Sequence, residues 1–206
     1  MINAANEGYP RSKIKYPSPG VGGPCLTKDS HIYSYHDSSK LFTEIKLGKE
    51  SRRINSLGPE YVLWQVNKFI NIAKAKKNIV IFIIGLAFKG WPETNDLRGS
   101  TALETANLLK SKGHAIKVFD NVVTKDSIIE EGLIPVKLDE GFKNSDAVLI
   151  LNNHPNNSSI NLNKSINNMN SPRLFFDGFG TFDQNEVMNV ESCYYSTLGY
   201  FDKGTN

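Results

Sequence analysis

The sequence predicts an α/β fold in which a helical segment is followed by a doubly wound, Rossmann-like parallel sheet. Three observations support this fold: a helical apolar period over residues 56–76, a continuous β-branched run over residues 78–84, and an alternation of strand and helix patterns after it. The change of period sets the predicted boundary, with a helical domain at residues 1–76 and a sheet domain at residues 77–206. A chain of 206 residues is long enough for one large domain or two small ones.

The helical segment ends in a long amphipathic helix. Over residues 56–76 apolar side chains recur at i, i+4, i+7 and i+11, and Pro59 suits a first helical turn. The stripe consists of Val62, Val66, Phe69 and Ala73, widened by Leu63 and Ile70. Such a stripe is typical of a packing helix, and its length and two-sided apolarity also suit a contact between subunits.

The sheet begins with the β-branched run, which is typical of a strand buried on both faces. Gly85 ends this strand, and the next helix begins at Ser100 or Thr101, where Thr101 and Glu104 have the spacing of a capping box. Further strands are predicted at residues 115–120, 134–137, 147–151 and 173–177, with a short helix at 125–131 and a last strand at 193–201. Over residues 152–170 nine of nineteen residues are asparagine, which indicates a solvated loop and weak helix without chemistry of its own.

Composition excludes several classes of protein. Hydrophobic residues make up 39% and charged residues 22% of the chain, and no apolar run approaches the ~18 residues of a membrane helix. The net charge of +3 is dispersed, without the basic stripe interleaved with aromatic residues that nucleic acid binding favours. We therefore expect no membrane and no nucleic acid as partner, and a single anionic ligand suits the charge better. Two widely separated cysteines and the lack of a secretory leader indicate free thiols and a cytoplasmic protein.

The first motif of chemical interest is the glycine-rich stretch at residues 20–29, GVGGPCLTKD. It places Cys25 in a tight turn just before a helix predicted over residues 26–36, which Thr27 is able to cap. The amides of a helix N-terminus stabilise a thiolate, which is the best neutral-pH nucleophile among the side chains. Residue types alone leave two interpretations open, a reactive thiol and a turn that carries a buried cysteine. Cys193, in an apolar tail, is expected in the core.

The second motif is the turn after the first strand, at residues 85–90, because ligands of parallel sheets bind at the carboxyl ends of strands. This turn resembles a degenerate dinucleotide fingerprint, G-x-A-x-x-G, with Asp120 in the position of a ribose ligand. The fingerprint requires a helix to begin inside the motif, whereas Pro92 and the residues after it keep the chain in a loop as far as Arg98. A loop that carries Lys89 and Arg98 is better suited to bind phosphates with side chains, and Asp120 is interpreted as a turn residue.

Together, the two motifs resemble the UDP-glucose/GDP-mannose dehydrogenase family. The resemblance rests on residues 20–29, on Gly85-Leu86-Ala87-Phe88-Lys89, and on Thr94-Asn95-Asp96-Leu97-Arg98 with Ser100. It covers nearly the whole chain but only the C-terminal half or so of the family, namely the end of its central helical domain and its UDP-binding domain. The stretch Gly22-Gly23-Pro24-Cys25-Leu26 is closer to members that act on UDP-N-acetylhexosamines than to UDP-glucose enzymes.

The resemblance implies an NAD-dependent oxidation of a UDP-sugar, a UDP-N-acetylhexosamine or UDP-glucose, at C6 to the UDP-uronic acid. Cys25 matches the family nucleophile, which forms a thiohemiacetal and then a thioester with the substrate. Asp29 matches the carboxylate that handles the hydrolytic water. The local chemistry agrees with these roles, because a covalent thiohemiacetal turns the oxidation of an aldehyde into a second hydride transfer.

The resemblance also implies a set of substrate contacts. They come from Gly22 and Gly23 in the first motif, from Lys89 and Arg98 in the second, and from Arg11, which reaches the substrate of a neighbouring subunit. A family member of this kind forms at least a homodimer, so a second copy of the chain is an expected partner beside the UDP-sugar.

Some features of the family have no match in the sequence. The N-terminal dinucleotide-binding domain with its G-x-G-x-x-G is one of them, so NAD is expected to bind mainly outside this chain, which alone binds the UDP-sugar without turnover. Gly99 stands where a glutamate is usual, Asp96 and Arg98 are alternatively a local ion pair, and no histidine has metal-ligand spacing. The alternative function is a non-catalytic nucleotide-binding or dimerisation module from a split or decayed gene.

Overall fold

The computed structural model describes residues 2–9, 11, 13–35 and 46–203, which contain a seven-stranded sheet with helices on both faces. The strands are β1 Val80–Ile84, β2 Ala115–Phe119, β3 Ile134–Pro135, β4 Ala147–Ile150, β5 Arg173–Asp177, β6 Cys193–Thr197 and β7 Tyr200–Lys203. The α-helices are α1 Ile2–Asn6, α2 Leu26–Tyr35, α3 Lys46–Asn55, α4 Gly58–Ile72, α5 Thr101–Ser111, α6 Lys125–Glu130, α7 Leu138–Phe142, α8 Leu162–Asn167 and α9 Gln184–Met188, and a 3-10 helix covers Pro155–Ser159.

The sheet has the strand order β3-β2-β1-β4-β5-β6-β7. All neighbouring strands are parallel except β6 and β7, which are antiparallel. The chain moves outward from β1 in one direction and returns to the other side at β4, so the topological switch point lies between these two strands. This arrangement confirms the predicted α/β, doubly wound fold, and it places a ligand crevice at the carboxyl ends of β1 and β4.

The core lies on both faces of the sheet because the side chains of β1 alternate between them. Ile81 and Ile83 join the stripe of α4 and the buried face of α5 in one cluster, and Phe82 and Ile84 join α7, α8 and α9 in the other. All four of these β1 side chains are fully buried, which is the environment that the β-branched run predicts. Cys193 is buried as well, so the prediction that it belongs to the core is confirmed.

Several boundaries differ from the prediction. Helix α4 is shorter than residues 56–76, and the chain beyond it turns at Lys74, which has a φ of 51°. The N-cap of α5 is Ser100, whose hydroxyl accepts a hydrogen bond from the Leu103 amide at 3.2 Å, so the capping box expected from Thr101 is wrong. Helix α4 packs on α5 within one core cluster. The domain boundary at residue 76 stays a prediction.

The segment before α2 is docked on the carboxyl edge of the sheet. Pro19 is buried between two glycines: a Cβ on Gly58 would overlap the Pro19 carbonyl oxygen, and one on Gly178 would lie 2.9 Å from the Pro19 ring. A Cβ on Gly20 would lie 2.7 Å from a methyl group of Thr101 at the start of α5. These close contacts fix the glycine-rich motif beside the turn that follows β1.

Among the residues that the structure describes, no helix is both long and apolar enough to cross a membrane.

Candidate functional site

A cleft of about 490 Å³ opens at the carboxyl edge of the sheet. Its walls come from the loops that follow β1, β4 and β5 and from the segment that precedes α2. The lining residues include Lys15, Tyr16, Gly22, Leu26, Phe88, Lys89, Trp91, Asn153, His154, Phe179 and Thr181. The position is the one that doubly wound sheets use for ligands, and the volume is in the range of small-molecule sites.

The turn after β1 is fixed by hydrogen bonds to Asp120. Its carboxylate accepts hydrogen bonds from the amides of Leu86 and Ala87, at 2.7 and 3.1 Å, and from the side chain of Asn152 at 3.2 Å. Asp120 is only 9% exposed, so its carboxylate oxygens bind groups within the fold and not a ligand in solvent. This geometry supports the interpretation of Asp120 as a turn residue rather than a ribose ligand.

The glycine-rich motif and the loop of residues 86–100 contact each other directly. The amide of Gly23 donates to the Gly99 carbonyl at 3.2 Å, and a Cβ on Gly23, which has a φ of +103°, would lie 2.8 Å from the Phe88 ring. A Cβ on Gly22 would overlap the Gly99 carbonyl oxygen. Two glycines in sequence are therefore required for this close approach.

Cys25 lies at this junction and is exposed. Its carbonyl oxygen accepts hydrogen bonds from the amides of Lys28 and Asp29 at 3.1 and 2.9 Å, which makes it part of the first turn of α2. Cys25 directly precedes α2, and Asp29 lies in the first turn of that helix. Thr27 was expected to cap the helix, but its hydroxyl donates to the Gly23 carbonyl at 3.1 Å, and that expectation is wrong.

Two cations lie near the thiol. Arg98 forms a two-point ion pair with Asp96, at 2.7 Å between Nη2 and Oδ2, and the Arg98 guanidinium lowers the pKa of Asp96 to about 2. The hydrogen bond and charge of Asp96 raise the pKa of Arg98, and a Cys25 thiolate adds a smaller contribution. The hydrogen bond and charge of Asp29, which lies 2.7 Å away, likewise raise the pKa of Lys28, and Cys25 adds a smaller contribution.

Comparison with known proteins identifies the chain. The model of the UDP-glucose/GDP-mannose dehydrogenase family, UDP binding domain, matches residues 82–184, half of the chain. The chain belongs to the UDP-glucose/GDP-mannose dehydrogenase family. A UDP-N-acetyl-D-mannosamine dehydrogenase of Pyrococcus horikoshii is 30% identical over 180 residues, which is 86% of this chain and 39% of that protein. One of Escherichia coli strain K12 is 29% identical over 168 residues, 78% of this chain and 38% of that protein.

A solved structure agrees with this family. The UDP-D-ManNAc dehydrogenase structure from P. horikoshii superposes with a TM-score of 0.77 at 25% identity, over 96% of this chain and 43% of that chain. The chain thus spans about two fifths of the length of its curated relatives. The family assignment and the fold confirm the resemblance that the two motifs carry.

The structure places the predicted site residues of this family member at different distances from the cleft. Gly22 and Lys89 line it. Gly23 packs behind Phe88, whereas Cys25 and Arg98 lie at the junction beside the cleft, with Arg98 turned towards Asp96. Arg11 is exposed and is not among the described residues that line the cleft. The functional roles of all these residues stay predictions.

The residues described here do not fit a dinucleotide cofactor. The turn after β1 leads into a loop, since the Phe88 amide donates to the Asp96 carbonyl at 3.1 Å and α5 begins only at Thr101. The helix N-terminus that binds pyrophosphate in dinucleotide folds is thus displaced from this turn, and Asp120 is occupied within the fold.

Sequence reasoning missed the wall that follows β4 and β5. The asparagine-rich segment was expected to have no chemistry, yet Asn153 and His154 line the cleft. The wall after β5 is a loop organised by Asp177, whose carboxylate accepts hydrogen bonds from the amides of Phe179 and Phe182 at 3.2 and 2.8 Å. Burial raises the pKa of the Asp177 carboxyl. Their positions directly after buried strands were the available signal.

Proposed function

We propose that this chain is the substrate-binding, cysteine-bearing part of an NAD-dependent nucleotide-sugar 6-dehydrogenase. Its substrate is a UDP-sugar, UDP-N-acetylhexosamine or UDP-glucose, and its product the UDP-uronic acid. In this proposal residues 1–76 are the end of a central helical domain and residues 77–206 are the UDP-binding domain. The protein is cytoplasmic, in agreement with its two free cysteines, and forms a homodimer.

One observation carries the proposal: the loop with the thiol and the loop with Lys89 form a single contact at the mouth of one cleft. The Gly23 amide and the Gly99 carbonyl join the two loops, and Gly22 and Lys89 line the same cavity. The cavity combines cations with aromatic walls, which suits a diphosphate joined to a flat base. A sugar attached to that diphosphate would extend towards Cys25.

Cys25 is the nucleophile in the proposed reaction. After the C6 alcohol has been oxidised to an aldehyde, the thiolate forms a carbon–sulfur bond to the aldehyde carbon, and the carbonyl oxygen takes up the electron pair and a proton. Loss of a hydride from that carbon to an acceptor bound outside this chain, and of the hydroxyl proton to solvent, would leave a thioester. Water then attacks the thioester carbonyl, Asp29 accepts a proton from that water, and the carbon–sulfur bond breaks to release the carboxylate and the Cys25 thiolate.

Each of the two oxidations needs a hydride acceptor, which NAD supplies in this proposal. Since the described residues do not fit a dinucleotide, we place the NAD site in sequence outside this chain. The 206-residue chain is therefore expected to bind UDP but not to turn over a UDP-sugar by itself.

Calorimetry with UDP tests the binding function. The unaltered chain is expected to bind UDP, and Lys89→Ala to lose about 10- to 100-fold in affinity, the usual range for one charge-assisted hydrogen bond. The matched control is Lys112→Ala, an exposed lysine at the end of α5, which should retain the affinity of the unaltered chain. Binding of NAD without any response to UDP would show that the sheet domain has been assigned wrongly.

The alternative, a non-catalytic nucleotide-binding or dimerisation module, differs in the thiol. A catalytic Cys25 should react with iodoacetamide at pH 7 faster than a free cysteine, and saturating UDP should change that rate. The buried Cys193 serves as the internal reference in the same peptide map. A Cys25 that reacts no faster than free cysteine, in a chain that still binds UDP, favours the module.

A further inference from the structure

One wall of the cleft is fixed by a small network of hydrogen bonds around Trp91. The amides of Gly90 and Trp91 both donate to Oδ1 of Asn153, at 2.9 and 3.3 Å. Two residues further on, Oε1 of Glu93 lies 3.0 Å from Nε2 of His154. The segment that carries Trp91 is therefore attached to the loop after β4 on both sides of the indole.

The geometry assigns the proton of His154. Its Nδ1 accepts a hydrogen bond from the Asn156 amide at 3.1 Å, so Nε2 carries the proton and donates to Glu93. The His154 side chain is only 3% exposed, whereas that of Glu93 is 54% exposed. A buried imidazole with both nitrogens in use is a rigid support for the segment above it.

The side chain of Trp91 contrasts with this support. The residue is 60% exposed and lines the cleft, so a large flat apolar surface faces the cavity from a backbone that is held at two points. Since the backbone is already ordered, stacking of a ligand on the indole costs the protein little conformational entropy.

The position of Trp91 in the cleft indicates which part of a nucleotide sugar it would contact. Phe88 contacts Gly22 and Gly23 at the cysteine side of the cleft, while Trp91 contacts the loop after β4. Lys89 and Trp91 both line the cleft, whereas Cys25 lies at its Gly22–Gly23 side. In a nucleotide sugar the reacting carbon, the diphosphate and the nucleoside follow one another, so with the sugar at Cys25 and the diphosphate at Lys89 the nucleobase falls at Trp91.

We propose that Trp91 is the platform on which the nucleobase stacks, and that Asn153 and the Glu93–His154 pair are positioning residues that hold it. This inference rests on the proposed binding of a nucleotide sugar and adds the residue that recognises the base. Stacking of a base on an indole supplies affinity because both surfaces are flat and apolar, and the loss on removing such a platform is about 5- to 100-fold.

Fluorescence and calorimetry of the 206-residue chain test this role, because Trp64 and Trp91 are its two tryptophans. Trp64 lies on α4, outside the cleft, and is the control. Trp64→Phe should bind UDP as the unaltered chain does, and UDP should quench its remaining fluorescence. Trp91→Phe should bind UDP almost as well, while the fluorescence of Trp64 does not respond.

Truncation of Trp91 separates stacking from a general loss of the cleft. Trp91→Ala is expected to lose about 5- to 100-fold in affinity for UDP and to retain its affinity for inorganic pyrophosphate, which has no base. Glu93→Ala should weaken UDP binding in the same selective way, and Glu93→Gln, which keeps an acceptor for His154, should restore it.

Three results would overturn the assignment. They are UDP affinity unchanged in Trp91→Ala, equal losses for UDP and pyrophosphate, and Trp91 fluorescence in the Trp64→Phe variant that ignores saturating UDP. If the unaltered chain does not bind UDP at all, the proposed function fails and this assignment fails with it. Titration of the unaltered chain with UDP therefore separates a failure of the proposed function from a failure of the Trp91 assignment alone.

Discussion

The substitution Gly22→Ala tests whether the contact between the two loops forms the cleft. Gly22 is buried, lines the cleft and does not have a positive φ, so alanine is allowed by its backbone conformation. The obstacle is steric: the new Cβ would overlap the Gly99 carbonyl oxygen, and it would lie 3.4 Å from the Cβ of Phe88. Because the obstacle is backbone, no side-chain rotation relieves it.

The free-energy cost of Gly22→Ala follows from the separation of the two loops. Relief of the overlap separates the loops and breaks the 3.2 Å hydrogen bond between the Gly23 amide and the Gly99 carbonyl. Overpacking costs about 1–3 kcal/mol and the hydrogen bond about 0.5–1.5 kcal/mol, so a penalty of about 1.5–4.5 kcal/mol applies to the docked state. Where the loop undocks instead of straining, the Gly22 wall is lost, and UDP affinity is expected to fall about tenfold or more.

The assays are urea unfolding and UDP calorimetry, with Gly199→Ala as the control. Gly199 has a φ of +79° and open space around its Cα, so alanine there introduces backbone strain of about 1–2 kcal/mol without a steric overlap. It lies in the turn between β6 and β7, and UDP affinity should be unchanged. The reasoning is refuted if Gly22→Ala binds UDP like the unaltered chain and is no less stable than Gly199→Ala.

Two further predictions concern pH. Burial lowers the pKa of His114, and its Nδ1 accepts from the Ile79 amide at 3.4 Å, so below about pH 6.5 the unfolded chain binds a proton that the folded chain does not. Stability should fall as the pH drops from 7.5 to 5.5 in urea titrations, and less steeply in His114→Gln; an identical slope would contradict this. The Asp96 carboxyl, with its pKa lowered to about 2 by Arg98, contributes stability that is complete above its ordinary pKa of 3.8 and is lost as the pH falls through about 2. Carboxyl NMR should give a midpoint near 2 that returns towards 3.8 in Arg98→Gln, and a midpoint near 3.8 in the unaltered chain would disprove the ion pair.

The sheet was predictable because its strands carry a strong local signal. β1, β4 and β5 are buried on both faces, and the continuous apolar runs of β1 and β4 are typical of interior parallel strands. Helix α7 was not predicted, since its five residues are shorter than two helical turns and show no period. The antiparallel pairing of β7 was not predicted either, because direction depends on a tertiary contact with β6.

The candidate site was predictable only in part, for a related reason. Lys89 and Gly22 belong to motifs whose residue types already indicate chemistry. The residue types of Asn153 and His154 give no such signal, and only their position after β4 does. Their contacts with Gly90 and Glu93 join residues more than sixty positions apart. The asparagine-rich composition describes the solvated part of that segment and conceals the two side chains that face the cleft.

Gly99 connects the departure from the family pattern with the geometry of the site. The family usually has a glutamate at this position, whereas here the residue has a φ of +62°, and a Cβ would lie 2.9 Å from the methyl group of Thr27 in α2. A glutamate would therefore need a strained backbone, and its Cβ would have to shift the Thr27 side chain of α2. Gly22, Gly23 and Gly99 meet in one contact, and the absence of a side chain at all three allows the thiol loop to dock on the Lys89 loop. The residue that departs from the family pattern thus lies in the contact that joins the loop of Cys25 to the loop of Lys89.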